Sequence, residues 1–187
     1  MVITYHNDTC FKVTSGSLST VIDPSTEKFK ADLTLISHAP LDAGVRHEGA
    51  ITGGGEYEMR GGGVRGVHCG YDAKTTEART FYRVLQEGIA LLFLGTVAEP
   101  PASELLEKVG EVDILFIPVG KGYLEPKQAE KLAKLIDASI VMPYPQKQVS
   151  AFLDAMGQKC ETVDKLTLKK KDIVEMGEKT KIVCLKS

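Results

Sequence analysis

The sequence predicts an α/β or α+β fold in which two β-sheets are covered by helices. Its first two thirds read as short strands, and its last third alternates helices with strands. Glycine and proline punctuate the boundaries between them. Hydrophobic content of 43% and charged content of 26% over 187 residues suit a single domain, residues 1–187. A chain of this length buries a sizeable core without disulfides or a structural metal.

The elements follow in order. Residues 2–5, 10–14 and 18–23 are short and rich in β-branched or aromatic side chains, as strands are. Residues 33–37 are almost continuously apolar, the pattern of a strand buried on both faces. The triplets Gly53-Gly54-Gly55 and Gly61-Gly62-Gly63 bracket a short strand at 56–59 and read as tight turns, with a further strand at 64–68. Glu87-Gly88 is a two-residue hairpin turn between strands 81–86 and 89–94. A helix over 102–109 starts after Pro100-Pro101 and stops at Gly110. Residues 112–118 form a buried strand, and 126–137 place Ala129, Leu132, Ala133 and Ile136 at helical spacing. Residues 139–142 are another strand, and 147–156 a helix ended by Gly157. Lys169-Lys170-Lys171 reads as a solvated loop.

Composition excludes several function classes. A net charge of −2 leaves no electrostatic footprint for nucleic acid. No apolar run is long enough to span a bilayer. The N-terminus lacks the basic and apolar regions of a signal peptide, so a cytoplasmic location is expected. Cys10, Cys69, Cys160 and Cys184 form no Cys-x-x-Cys pair. They are expected as reduced thiols, mostly buried as small apolar residues.

The segment of greatest chemical interest is Ser37-His38-Ala39-Pro40-Leu41-Asp42-Ala43, which follows directly on an apolar strand. It resembles the His-x-His-x-Asp-His hallmark of the metallo-β-lactamase superfamily. Other segments carry the same resemblance in the right order: Thr20-Val-Ile-Asp-Pro24, Gly54-Gly55-Glu56-Tyr57-Glu58, Leu94-Gly95, Ile117-Pro118-Val119-Gly120 and Val141-Met142-Pro143. They are similar to a branch of small stand-alone metal-dependent hydrolases related to ascorbate-6-phosphate lactonase. The resemblance implies an αββα sandwich of two mixed sheets covered by helices, with a site on loops at one edge. In such a site, histidines and aspartates hold metal ions about 3.5–4 Å apart, which lower the pKa of a bound water to about 7.

The chain keeps the scaffold and departs at the ligands. His38 and Asp42 stand in place, whereas the second and third histidines of the hallmark become Pro40 and Ala43. Asp8 stands where the branch has an N-terminal histidine, and Tyr71 where a histidine precedes Asp72. The bridging aspartate becomes Thr96, and the histidine after it falls at or near Glu99. The last histidine becomes Tyr144 or Pro145. An open catalytic zinc needs three protein ligands. Residual metal candidates are therefore His38, Asp42, His68 and Asp8, with Cys69, Asp72, Glu99 and His47 as further substitutes. Asp42 and Asp72 are the catalytic candidates if the site is active. His38 can equally be a loop hydrogen-bonding histidine, Asp42 a helix cap, and Cys69 a packed thiol. His6 ranks last among the residues that could face the site.

The expected function is accordingly a degenerate metallo-β-lactamase-fold protein without the dinuclear site and with no cofactor. It would bind a small molecule or a protein partner, with a homo-oligomer as a further expectation. The alternative is a hydrolase of small esters, lactones or phosphoesters with a rearranged zinc or manganese site.

Overall fold

The computed structural model describes residues 1–25, 29–40, 49–59, 61–72, 75–177 and 179–187. Strands β1 (Val2–Asn7), β2 (Cys10–Ser15) and β3 (Leu18–Ile22) form an antiparallel meander. Strands β4 (Leu33–Leu35), β5 (His38–Pro40) and β6 (Ala50–Ile51) follow. A long antiparallel run comes next: β7 (Gly55–Met59), β8 (Gly62–Asp72), β9 (Glu77–Gln86) and β10 (Ile89–Phe93). Helices then alternate with strands: α1 (Ser103–Glu107), β11 (Ile114–Pro118), α2 (Pro126–Ile136), β12 (Ile140–Tyr144) and α3 (Ser150–Met156). The chain ends with β13 (Glu161–Val163), β14 (Leu166–Thr167), α4 (Lys170–Met176) and β15 (Lys181–Leu185).

Two mixed sheets result. The first runs β14-β1-β2-β3-β4-β6 and the second β13-β15-β12-β11-β10-β9-β8-β7, with β5 paired to β9. The chain crosses from the first sheet to the second between β4 and β5, at Ile36 and Ser37. One apolar layer lies between the sheets and holds Phe11, Ile22, Phe93, Phe116 and Tyr144. A second layer lies under the helices and holds Phe81, Leu92, Leu115, Leu132 and Phe152. This is the sandwich expected from the resemblance. Among the described residues no helix is long and apolar enough to cross a membrane.

Local expectations fared unevenly. At the β9–β10 turn, Glu87 and Gly88 both have positive φ, the backbone of a two-residue hairpin. Helix α2 starts on Pro126 and ends on Asp137 in the left-handed region, close to the bounds read from periodicity. The second glycine triplet is not all turn, because Gly62 and Gly63 lie inside β8. A Cβ at Gly62 would sit 1.7 Å from the Leu85 carbonyl oxygen, so close strand approach explains that glycine. The lysine run is helical rather than a loop: Lys169 donates its amide to Asp172 at 2.7 Å, and Ile173 is buried. Cys160 and Cys184, expected as reduced thiols, are joined in a disulfide, while Cys10 and Cys69 are free.

Candidate functional site

A cleft of about 610 Å³ opens where the two sheets meet at one edge. Its lining includes Asp8, Asp23, His38, Glu77, Thr96 and Tyr123. Each comes from a loop or strand end. Asp8 sits in the β1–β2 turn with φ +43°, and the Tyr5 hydroxyl donates to its carbonyl at 3.1 Å. Asp23 ends β3 with φ +45°. His38 opens β5, and Thr96 follows β10.

Asp23 is the most deeply placed charge of the site. Its side chain is 2% exposed. The Ser37 amide donates to Oδ1 at 2.6 Å and the Ser37 hydroxyl to Oδ2 at 2.5 Å. His38 Nδ1 lies 3.9 Å from Oδ1 and 3.5 Å from the Ser37 hydroxyl. Burial pushes the Asp23 carboxyl above the usual carboxylate range, opposed by the Ser37 hydrogen bonds and by His38. The sequence reading took Asp23 only as part of a scaffold motif. The signal available was an aspartate directly after an apolar strand and before Pro24.

Next to the lining, but not part of it, lie the buried residues Gly95 and Tyr144. Tyr144 ends β12, is 1% exposed, and donates its hydroxyl to the Gly95 carbonyl at 2.7 Å. Gly95 has φ +63°, and a Cβ there would lie 2.4 Å from both Cβ and Oγ of Ser37. No other residue fits without displacing Ser37. Burial first, and then the charge of Asp23, drive the Tyr144 phenol well above its ordinary pKa. Tyr5 is pushed up to about 12 by burial and by Asp8.

The sequence candidates are scattered. Asp8 and His38 share the cleft. Asp42 lies outside the described residues, as does His47. His68 opens instead onto a separate groove with Arg65, Leu105 and Lys108. Asp72 pairs with Arg79 at 2.6 Å and is not part of the cleft lining. Glu99 is exposed. His6 contacts Thr4 at 3.0 Å and meets Phe29 edge-on, and burial followed by Lys12 lowers its pKa. The Cys69 thiol is pushed up to about 11 by burial, which gives no support to a reactive thiolate at neutral pH.

The donor set can be tested against the metal centre that the fold implies. Pro40 offers no lone pair, Thr96 only a hydroxyl, and the Tyr144 oxygen is committed to Gly95. Among the described residues no three His, Cys, Asp or Glu side chains converge to hold a metal. The described residues therefore do not fit a dinuclear centre.

Comparison with known proteins places this geometry. Residues 2–145 match the β-lactamase superfamily domain. A candidate Zn-dependent hydrolase of the metallo-β-lactamase superfamily from Thermotoga maritima is 25% identical, with a TM-score of 0.81 over 98% of this chain and 97% of that one. A candidate metal-dependent hydrolase from Parabacteroides distasonis shares the fold at 20% identity and TM-score 0.64, covering 82% and 87% of the two chains. A metallo hydrolase from Ignicoccus hospitalis does so at 17% identity and TM-score 0.65, covering 90% and 99%. No curated protein matches the sequence significantly.

Proposed function

This chain belongs to the metallo-β-lactamase superfamily, and on that footing we propose that it is a non-catalytic member whose cleft binds a partner without a dinuclear metal centre. One observation carries the reading. The last metal-binding histidine falls at Tyr144 or Pro145: the Tyr144 ring is buried with its hydroxyl spent on the Gly95 carbonyl, and the Pro145 ring carries no lone pair for a metal. That arrangement serves packing, since a phenol donating to a buried carbonyl is not available as a ligand. Pro40 and Thr96 at two further positions support the same reading. The partner is a small molecule, because the cleft of about 610 Å³ falls in the usual range of ligand pockets, roughly 300–1,000 Å³.

A second reading rests on Asp8 and His38 lining one cleft. With a third ligand they would hold a single zinc or manganese ion for hydrolysis of a small ester, lactone or phosphoester. Metal analysis of protein purified without chelator, with zinc titration by calorimetry, separates the two. We expect sub-stoichiometric metal and no zinc binding tighter than about millimolar. Stoichiometric metal together with ester or lactone hydrolysis would sink the first reading and establish the second.

A further inference from the structure

Tyr144 does more than fill space. It ends β12, buried behind the cleft lining. Its ring packs against Phe11 of β2 in the first sheet, with centroids 5.2 Å apart at an interplanar angle of 68°. Its hydroxyl reaches across β11 to the backbone of Gly95 at the end of β10 in the second sheet. Gly95 in turn lies against Ser37, at the crossover between the sheets. Ser37 delivers its amide and its hydroxyl to Asp23 at the end of β3, back in the first sheet. The result is a continuous path of contacts and hydrogen bonds from first sheet to second and back: Phe11, Tyr144, Gly95, Ser37, Asp23.

We propose that this path is a clamp that holds the loops of the cleft in register without a metal, with the Tyr144–Gly95 hydrogen bond as its central link. The inference rests on the non-metal reading of the same cleft. Its physical logic is general. When one ion takes ligands from several loops, it cross-links them, and its binding energy becomes folding energy. A chain without the ion must supply the cross-link from its own groups. Here two directed links join the loops. One is a phenol donating to a carbonyl. The other is a paired donation from one serine to one carboxylate. Every participant is buried: Tyr144 and Ser37 at 1%, Phe11 at 2% and Asp23 at 7% exposure. Water can therefore replace none of these donors without opening this buried layer.

The clamp gives three residues a common role. Gly95 is held to glycine by the close approach of Ser37. Asp23 is retained although its charge is costly to bury, because it receives both Ser37 donors. Tyr144 supplies a long ring with a polar tip, and the tip must reach Gly95.

Tyr144→Phe keeps the ring and removes the link. Thermal unfolding of the variant and the parent, each with and without EDTA, is compared with amide hydrogen exchange. We expect Tyr144→Phe to lower the Tm by about 3–10 °C, since a buried carbonyl loses its donor. We also expect faster exchange confined to residues 36–38 and 94–97, with the β11 amides still protected. EDTA is expected to leave both Tm values unchanged. A Tm within about 1 °C of the parent, or unchanged exchange at 36–38 and 94–97, overturns the clamp. A parent Tm that drops in EDTA overturns the non-metal reading instead, and does so whatever Tyr144→Phe shows. If Tyr144→Phe fails to fold, Ser37→Ala cuts the other link. The same local opening is expected there, and its absence overturns the proposal.

Discussion

Burial holds the Cys69 thiol protonated through the neutral range, with a pKa of about 11 against an ordinary value near 8.5–9. At pH 8 only about one thiol in a thousand is thiolate, the reactive form. Alkylation of Cys69 by iodoacetamide should therefore accelerate roughly tenfold per pH unit from 8 to 10, without reaching a plateau. A plateau at or below pH 9, followed by mass spectrometry of the labelled peptide, would show an ordinary thiol and refute the burial argument. Cys10, 1% exposed, is expected to stay unlabelled throughout. The contrast between Asp8 and Asp23 belongs to the same scale. Asp8 was legible because a ligand motif singles out its position, and it does line the cleft. Asp23 was read only as scaffold, because its role depends on Ser37, fourteen residues away, folding back to donate two hydrogen bonds. Nothing local in a sequence records such a return.

Among the elements, the central strands were the most legible. Strands β10, β11 and β12 are buried at every position, and their unbroken apolar runs announce them. Helix α4 buries only Ile173, so the lysines at its start, Lys169-Lys170-Lys171, carry no apolar periodicity and read as a solvated loop. The short edge strand β13 was missed for a similar reason. It is three residues long with an exposed start, and its sheet contact is a parallel pairing to β15. Parallel partners are fixed by tertiary structure rather than by neighbouring sequence. The Cys160–Cys184 bond fastens this edge, closing a loop with a sequence separation of 24. Closing a loop of that length stabilises a fold by about 3 kcal/mol on the chain-entropy account. Reduction with a phosphine should then lower the Tm by about 6–12 °C. It should raise amide exchange first in β13 and the C-terminal strand. An unchanged Tm, with two additional titratable thiols, would mean that β15 holds β13 by backbone pairing alone.

At the scale of the whole molecule, the question is what keeps a metallo-hydrolase fold standing when its described ligand positions no longer suit a metal. The answer lies in the aromatic layer between the sheets. Phe93 and Phe116 stack with centroids 4.0 Å apart, and Phe11 meets Phe116 edge-on at 4.8 Å. Phe116 is fully buried and Phe93 is 1% exposed. These rings come from β2, β10 and β11, so they join the two sheets directly. Helical cover contributes differently: Leu132 of α2 and Phe152 of α3 are buried, but Leu135 of α2 is 68% exposed. Truncating an aromatic residue in a close-packed core costs about 3–5 kcal/mol, because the cavity only partly collapses. An exposed leucine costs no more than about 0.5 kcal/mol. Phe116→Ala should therefore lower the Tm by about 6–20 °C, while Leu135→Ala shifts it by no more than about 2 °C. Paired melts of the two variants test this. Were Phe116→Ala to cost no more than Leu135→Ala, the sheet–sheet layer would not be the source of stability. The cleft clamp or the disulfide would then have to carry the fold. The expected ordering would place the main source of stability in the rings that join the sheets, Tyr144 among them.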